Sequence, residues 1–132
     1  MALIATENLR YSNTVKNELW PSTGYCRKAV TVNEAGAVDY TIGRVLGKIT
    51  ASGKYVTATE TAVDGSDAFA AIVLEDKSIA ATTDTTVLVM VKGPAEVAKQ
   101  ALTLDSTYDD DAKKQVIYDA MEAAGINVLE QL

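Results

Sequence analysis

Phe69-Ala70-Ala71-Ile72-Val73-Leu74 and Val87-Leu88-Val89-Met90-Val91 are the two runs whose reading decides the fold. Apolarity that continues through a short run, without alternation, marks a strand buried on both faces. In a small β domain, a neighbouring subunit could cover one of those faces.

Working outward, Lys28-Ala29-Val30-Thr31-Val32 is a short strand closed by the turn-like Asn33-Glu34-Ala35-Gly36. Tyr40 to Thr50 follows as a second apolar-rich run, and Ser52-Gly53 punctuates before Lys54 to Thr61. In that last run, β-branched threonine alternates with other residues, as suits a half-exposed strand. Asp64-Gly65 is a tight-turn signal. The zone from about 25 to 97 is therefore expected to be strand-rich.

Beyond it, Asp109-Asp110-Asp111 opens a helix expected over about 110–124. Carboxylates suit a helix N-terminus because they cap free N–H groups and complement the dipole. Ala112, Val116, Ile117, Ala120, Met121 and Ala124 recur at helical spacing on one face, and Gly125 stands where a C-terminal cap belongs. Ile126-Asn127-Val128-Leu129 reads as a short closing strand. The fold class is α+β, β-rich.

Residues 1–24 have neither helical nor strand period and end in Trp20-Pro21-Ser22-Thr23-Gly24. Proline pushes the preceding residue toward extended geometry, and Gly24 permits a turn. The expectation is an extended N-terminal arm over 1–24 and a single domain over 25–132. Such an arm can add itself as a strand to an exposed sheet edge, with alternate side chains filling pockets. Its anchors would be Leu9, Tyr11, Val15, Leu19, Trp20 and Pro21. Large aromatic and aliphatic side chains dominate interface energy. Trp20 is equally well placed to fold back onto its own core.

A chain of 132 residues fits one domain. Aromatics are only 6% of it, so the core is built from Val, Ile, Leu and Ala, and subunit contacts would assist it. The net charge of -6, with scattered Lys and Arg, argues against a nucleic-acid partner, which requires clustered cations. The start turns polar too soon for a signal peptide, and no apolar run is long enough for a membrane span. A soluble protein made in a cytoplasm is expected.

Catalytic chemistry is poorly supplied. The chain has no histidine, which removes Ser-His-Asp and Cys-His arrangements, and its one cysteine, Cys26, can form neither an intrachain disulfide nor a structural zinc site. Gly43-Arg44-Val45-Leu46-Gly47-Lys48-Ile49-Thr50 departs from a phosphate loop in its glycine spacing and in Ile49, which stands where a hydroxyl belongs. Glycines at a bend or a close packing contact explain it better. Asp109-Asp110-Asp111 lacks the spacing of a calcium loop, and helix capping accounts for it. Asp64-Gly65-Ser66-Asp67 has a little more calcium character, but a hairpin turn suffices. The two carboxylates of a glycosidase are compatible with so acidic a chain, yet no pair stands out. No enzyme activity, cofactor or metal is expected.

The middle zone carries an ordered pattern: Gly43-x-Val45-Leu46-Gly47-x-x-Thr50, Gly53-Lys54-Tyr55, Asp64-Gly65-Ser66, Ala70-Ala71-Ile72-Val73-Leu74 and Val91-x-Gly93-Pro94-Ala95-x-Val97. Asp111-Ala112-Lys113-Lys114 and Ala123-Ala124-Gly125-Ile126 complete it. This order resembles the head decoration protein family of tailed phages over roughly residues 40–129. The resemblance implies a compact, β-tulip-like decoration domain that assembles as a homotrimer. It also implies a site on the exterior of the virion capsid, at local three-fold positions of the expanded shell, with the major capsid protein as partner. The trimer would hold that shell against internal DNA pressure, and the N-terminal arm would be the shell-contacting segment. Two other readings share the catalysis-free character: a tail- or fibre-associated virion module, and a small cellular ligand-binding domain.

Overall fold

The computed structural model describes residues 15–18 and 26–129. Ten strands and one α-helix are found among them: β1 Val15–Glu18, β2 Arg27–Val32, β3 Val38–Tyr40, β4 Val45–Lys48, β5 Tyr55–Thr57, β6 Ala71–Val73, β7 Lys77–Ile79, β8 Thr85–Met90, β9 Ala95–Ala98, α1 Asp111–Ala123 and β10 Ile126–Leu129.

Strands β2, β5, β4, β6 and β8 close into a small barrel. The longest ladder runs antiparallel from Arg27 opposite Met90 to Val32 opposite Thr85. Closure comes from a single parallel pairing, Val32 opposite Tyr55. Beside the barrel, β9 forms the centre of a three-stranded sheet, antiparallel to β1 and parallel to β10. β3 and β7 form a separate antiparallel pair.

The two runs that decide the fold are β6 and β8, and their continuous apolarity has a direct cause. Successive strand residues point to opposite faces, and here each face meets a different core. Ala71, Val73, Val87 and Val89 join Val30, Val32, Leu46 and Tyr55 in a cluster to which every barrel strand contributes, with Tyr40 and Ile79 added from β3 and β7. Ile72, Leu74 and Met90 pack outward against Val97, Ile117, Met121 and Ile126. The second face is thus covered by the chain's own β9, α1 and β10; no neighbouring subunit is required there.

Two expected strands are shorter than their sequence runs. Tyr40 to Thr50 is broken because Gly43 adopts φ +105, a left-handed conformation that turns the chain before β4 begins. From Lys54 to Thr61 only β5 is regular, since Thr59 N–H donates instead to the Ser66 carbonyl at 3.3 Å.

The helix follows its sequence signals closely. Asp110 is the N-cap, with extended backbone, and its carboxylate accepts from the Lys113 N–H at 2.9 Å. Gly125 at φ +89 reverses the chain into β10. Its buried face is narrower than the periodicity predicts: Ile117 and Met121 are buried, whereas Val116 is 65% exposed.

Candidate interaction surface

Of the expected arm anchors, Val15 alone falls among the described residues; Leu9, Tyr11, Leu19, Trp20 and Pro21 lie outside them. Val15 does not point outward. It sits in β1 opposite Val97 and is buried in the core with Ala95, Val97 and Ile126. The physical reason is the pairing itself: once β1 joins β9, the β-branched side chain at Val15 lies over the apolar face that β9 shares with α1. Val15–Glu18 is therefore part of the domain's own sheet, within the stretch read as arm.

The other motifs resolve into structural roles. Gly47 lies in β4 directly against the Ser66 backbone, where a Cβ would overlap the Ser66 carbonyl, so its smallness serves a close contact and not a phosphate. Asp64 accepts from Ser66 N–H at 3.1 Å and Ser66 Oγ at 2.6 Å, and these bonds hold its carboxyl below the usual carboxylate range. That is an Asx turn, completed by Gly65 at φ +103. Among the described residues, no three His, Cys, Asp or Glu gather as metal ligands. Cys26 is buried.

One polar network lies within the body. Glu34 Oε2 accepts from the Tyr40 hydroxyl, and from Thr57 N–H and Oγ1, each at 2.8 Å. Arg44 Nη1 donates to Thr57 Oγ1 at 3.2 Å, and the guanidinium lies 5.5 Å from the Tyr40 ring centre. Burial first, then the Glu34 hydrogen bond and charge, raise the Tyr40 phenol far above its ordinary value. The network ties β3, β5 and Arg44, just before β4, to the segment after β2. It is internal scaffolding, and nothing in it is presented for chemistry.

Among the described residues, three concave regions lie around α1. A cleft of about 530 Å³ is lined by Lys99, Gln100, Leu102, Asp111, Lys114 and Tyr118 among others. An adjoining cleft of about 400 Å³ shares Leu102, Lys114 and Tyr118 and extends to Asp105 and Tyr108. The third, about 300 Å³, lies between the β5–β6 loop and the helix, lined by Glu60, Asp67, Tyr108, Ala112, Lys113 and Val116.

Tyr108 separates the second and third clefts. Its hydroxyl donates to the Asp67 carbonyl at 2.8 Å. Burial, helped by the nearby Asp67, Glu60 and Asp105 charges, pushes its pKa up to about 12. Lys113 is held by Asp109 at 3.0 Å and lies 4.0 Å from Glu60. These walls are shallow and carry no nucleophile–base pair, so they suit protein contact better than chemistry.

Sequence reading did not single out Val63, which is fully exposed, and it placed Val116 on the apolar face of the helix, where the core leaves it exposed. Periodicity identifies an apolar stripe but does not say how much of it the domain itself covers.

The family profile described as bacteriophage lambda head decoration protein D matches residues 5–126 of the chain. No curated protein matches it.

Proposed function

The chain belongs to the bacteriophage lambda head decoration protein D family, and from that premise we propose that it coats the outside of the expanded phage head as a trimer and holds the shell against the pressure of packaged DNA. The observation that carries the reading is the extent of the match, which runs from residue 5 to residue 126 and so takes in most of the N-terminal segment and the described body as far as the start of β10. A head decoration protein acts by binding the capsid, and its role is structural.

The physical logic is one of linkage. A protein that binds the assembled shell, and not its separated parts, stabilises the shell by mass action. Three arms on one trimer raise the effective concentration of the second and third once the first has engaged, so modest single contacts give slow release. In this reading residues 1–14, which precede β1, are the arm proper, and the major capsid protein is the partner. The acidic balance of -6 suits an outward-facing coat and disfavours a place beside DNA. No helix among the described residues is long and apolar enough to cross a membrane.

The test is co-sedimentation of the purified protein with expanded and unexpanded empty shells of its phage, followed by electron microscopy. Binding confined to expanded shells, with density at local three-fold positions, supports the reading. Density on the tail, inside the head, or nowhere on the particle overturns it.

A further inference from the structure

We propose that the cleft beside the first two turns of α1 is a carboxylate site for this chain's own tail, with Glu130 seated between Lys99 and Lys114. Glu130-Gln131-Leu132 follow β10 and lie outside the described residues. The contact is made within one chain and needs neither a shell nor a second copy.

The register of β10 aims the tail at this cleft. Its parallel ladder with β9 sets Ile126 opposite Ala95 and Leu129 opposite Ala98. One more step of the ladder brings residue 130 level with Lys99, which follows β9 directly and lines the cleft. Successive strand residues alternate between faces. Ile126 is buried, and Val128 packs on the same core as Ile117 and Met121. Residue 130 therefore falls on the face turned toward α1.

The helix supplies a second, independent observation. Lys114, Ile117, Tyr118 and Met121 stand at i, i+3, i+4 and i+7 and so form one stripe. Ile117 and Met121 are buried, Tyr118 packs partly against the core, and half-buried Lys114 is where the stripe turns from apolar to charged. Gly125 reverses the chain, and β10 packs back along α1. A helix of this length spans about 20 Å, and β10 covers about 13 Å of it. Three more extended residues add about 10 Å, enough to reach the first turn.

Charge favours the tail as the occupant. The cleft is lined by two cations, Lys99 and Lys114, against one carboxylate, Asp111, in a chain whose net charge is -6. Asp111 is exposed at the start of the helix, and Asp105, across the adjoining cleft, is turned to the N–H and hydroxyl of Thr107. Lys113 is taken by Asp109 and Glu60, whereas Lys114 forms no ion pair among the described residues. Lys99 Nζ lies 4.9 Å from the Tyr118 ring centre, so both lysines belong to the same stripe. The tail brings one carboxylate side chain, on Glu130, to this place. Residues 1–14 are worse placed, because β1 lies on the opposite edge of β9 from β10. Seated here, the tail closes the seam between β10 and α1 and braces the end of β9, the strand that also holds β1.

Treatment of the full chain with a carbodiimide tests this, since the reagent joins a carboxylate to an amine in contact with it. Peptide mass mapping should find Glu130 linked to Lys114 or Lys99, alongside the link between Asp109 and Lys113, whose 3.0 Å separation makes it the internal control. A mixture of isotope-labelled and unlabelled protein should show the Glu130 link within single copies. Glu130→Lys should lower the melting temperature by about 2–5 °C, and Lys114→Glu in the same chain should restore about half of the loss or more. Both positions are at the surface, and circular dichroism verifies folding.

A control link formed without any link from Glu130 to either lysine overturns the proposal. So do links from these lysines to Glu7, which assign the cleft to the arm, and links between labelled and unlabelled copies, which assign it to a neighbour. A Glu130→Lys protein that melts with the native one, or a charge swap that deepens the loss, is equally decisive against it. None of these readouts involves shells, so the decoration reading stands or falls separately.

Discussion

Gly93 and Gly125 meet backbone to backbone, so closely that a Cβ on Gly93 would overlap the Gly125 carbonyl. Around them, Gly93 N–H donates to Ala124 at 3.0 Å and Ala95 N–H to Gly125 at 3.3 Å. This seam fastens the start of β9 to the turn between α1 and β10, and so fixes the sheet that covers the outer face of the barrel.

Gly93→Ala should therefore destabilise the protein at the upper end of the roughly 1–3 kcal/mol of overpacking, since the obstacle is backbone that cannot swing aside. Gly125→Ala should cost about 1–2 kcal/mol through its left-handed φ of +89. Gly36→Ala, with nothing within 4 Å of its Cβ, should change stability by less than about 0.5 kcal/mol. Urea unfolding of the three variants checks the order; a Gly93→Ala protein as stable as Gly36→Ala would show that the seam is loose.

Ile72 and Leu88 were both marked by sequence as members of doubly buried strands, but they should not respond alike. Ile72 is fully buried between the barrel and α1, while Leu88 is only half-buried. Ile72→Ala should lose about 2–5 kcal/mol, the range for emptying a packed site, and Ile72→Asp should not fold at all. Leu88→Asp should fold with a lowered melting temperature. Equal tolerance at both positions would contradict the two-core arrangement.

The contrast shows what the sequence could and could not convey. β6, β8, the Asp110 cap and the Gly125 reversal were legible because each is set by residues close together in the chain. The barrel closure at Val32 and Tyr55 was not, because it joins residues that no local pattern links. For the same reason Val15 read as an arm anchor: its burial depends on Val97, far along the chain. The helix face was legible in direction but not in width, since Val116 is apolar and yet uncovered. On the candidate surface, family resemblance was carried by motifs that turn out to be turns and strands, whereas Val63, Val116 and Tyr108 belong to no motif.

Alkaline pH should weaken the fold through Tyr40 and Tyr108. Both phenols have a folded pKa above the ordinary value of 10, Tyr108 at about 12. Below pH 10 folded and unfolded chains both hold these protons, and their contribution is complete. Above pH 10 the unfolded chain releases them while the folded chain keeps them, so stability falls with rising pH. For Tyr108 the window runs from about 10 to 12. Between these limits Tyr108→Phe should lose less melting temperature than native protein, although it starts lower by the loss of the hydrogen bond to Asp67. Parallel melting curves for the two proteins would exclude this role.

Two truncations test the proposed arm against the body. Removing residues 1–14 leaves β1 in place, so the melting temperature should stay close to native while shell binding is lost. Removing residues 1–24 also strips β1 from β9 and uncovers the core that Val15 closes. Exposing a buried valine position costs about 1.5–3 kcal/mol, and the freed edge of β9 adds unpaired backbone groups that invite association with other chains. The longer deletion should thus be both non-binding and less stable, with a tendency to aggregate. If the two truncations melt together, β1 contributes nothing to the body; if the shorter one still coats shells, the grip lies elsewhere on the molecule.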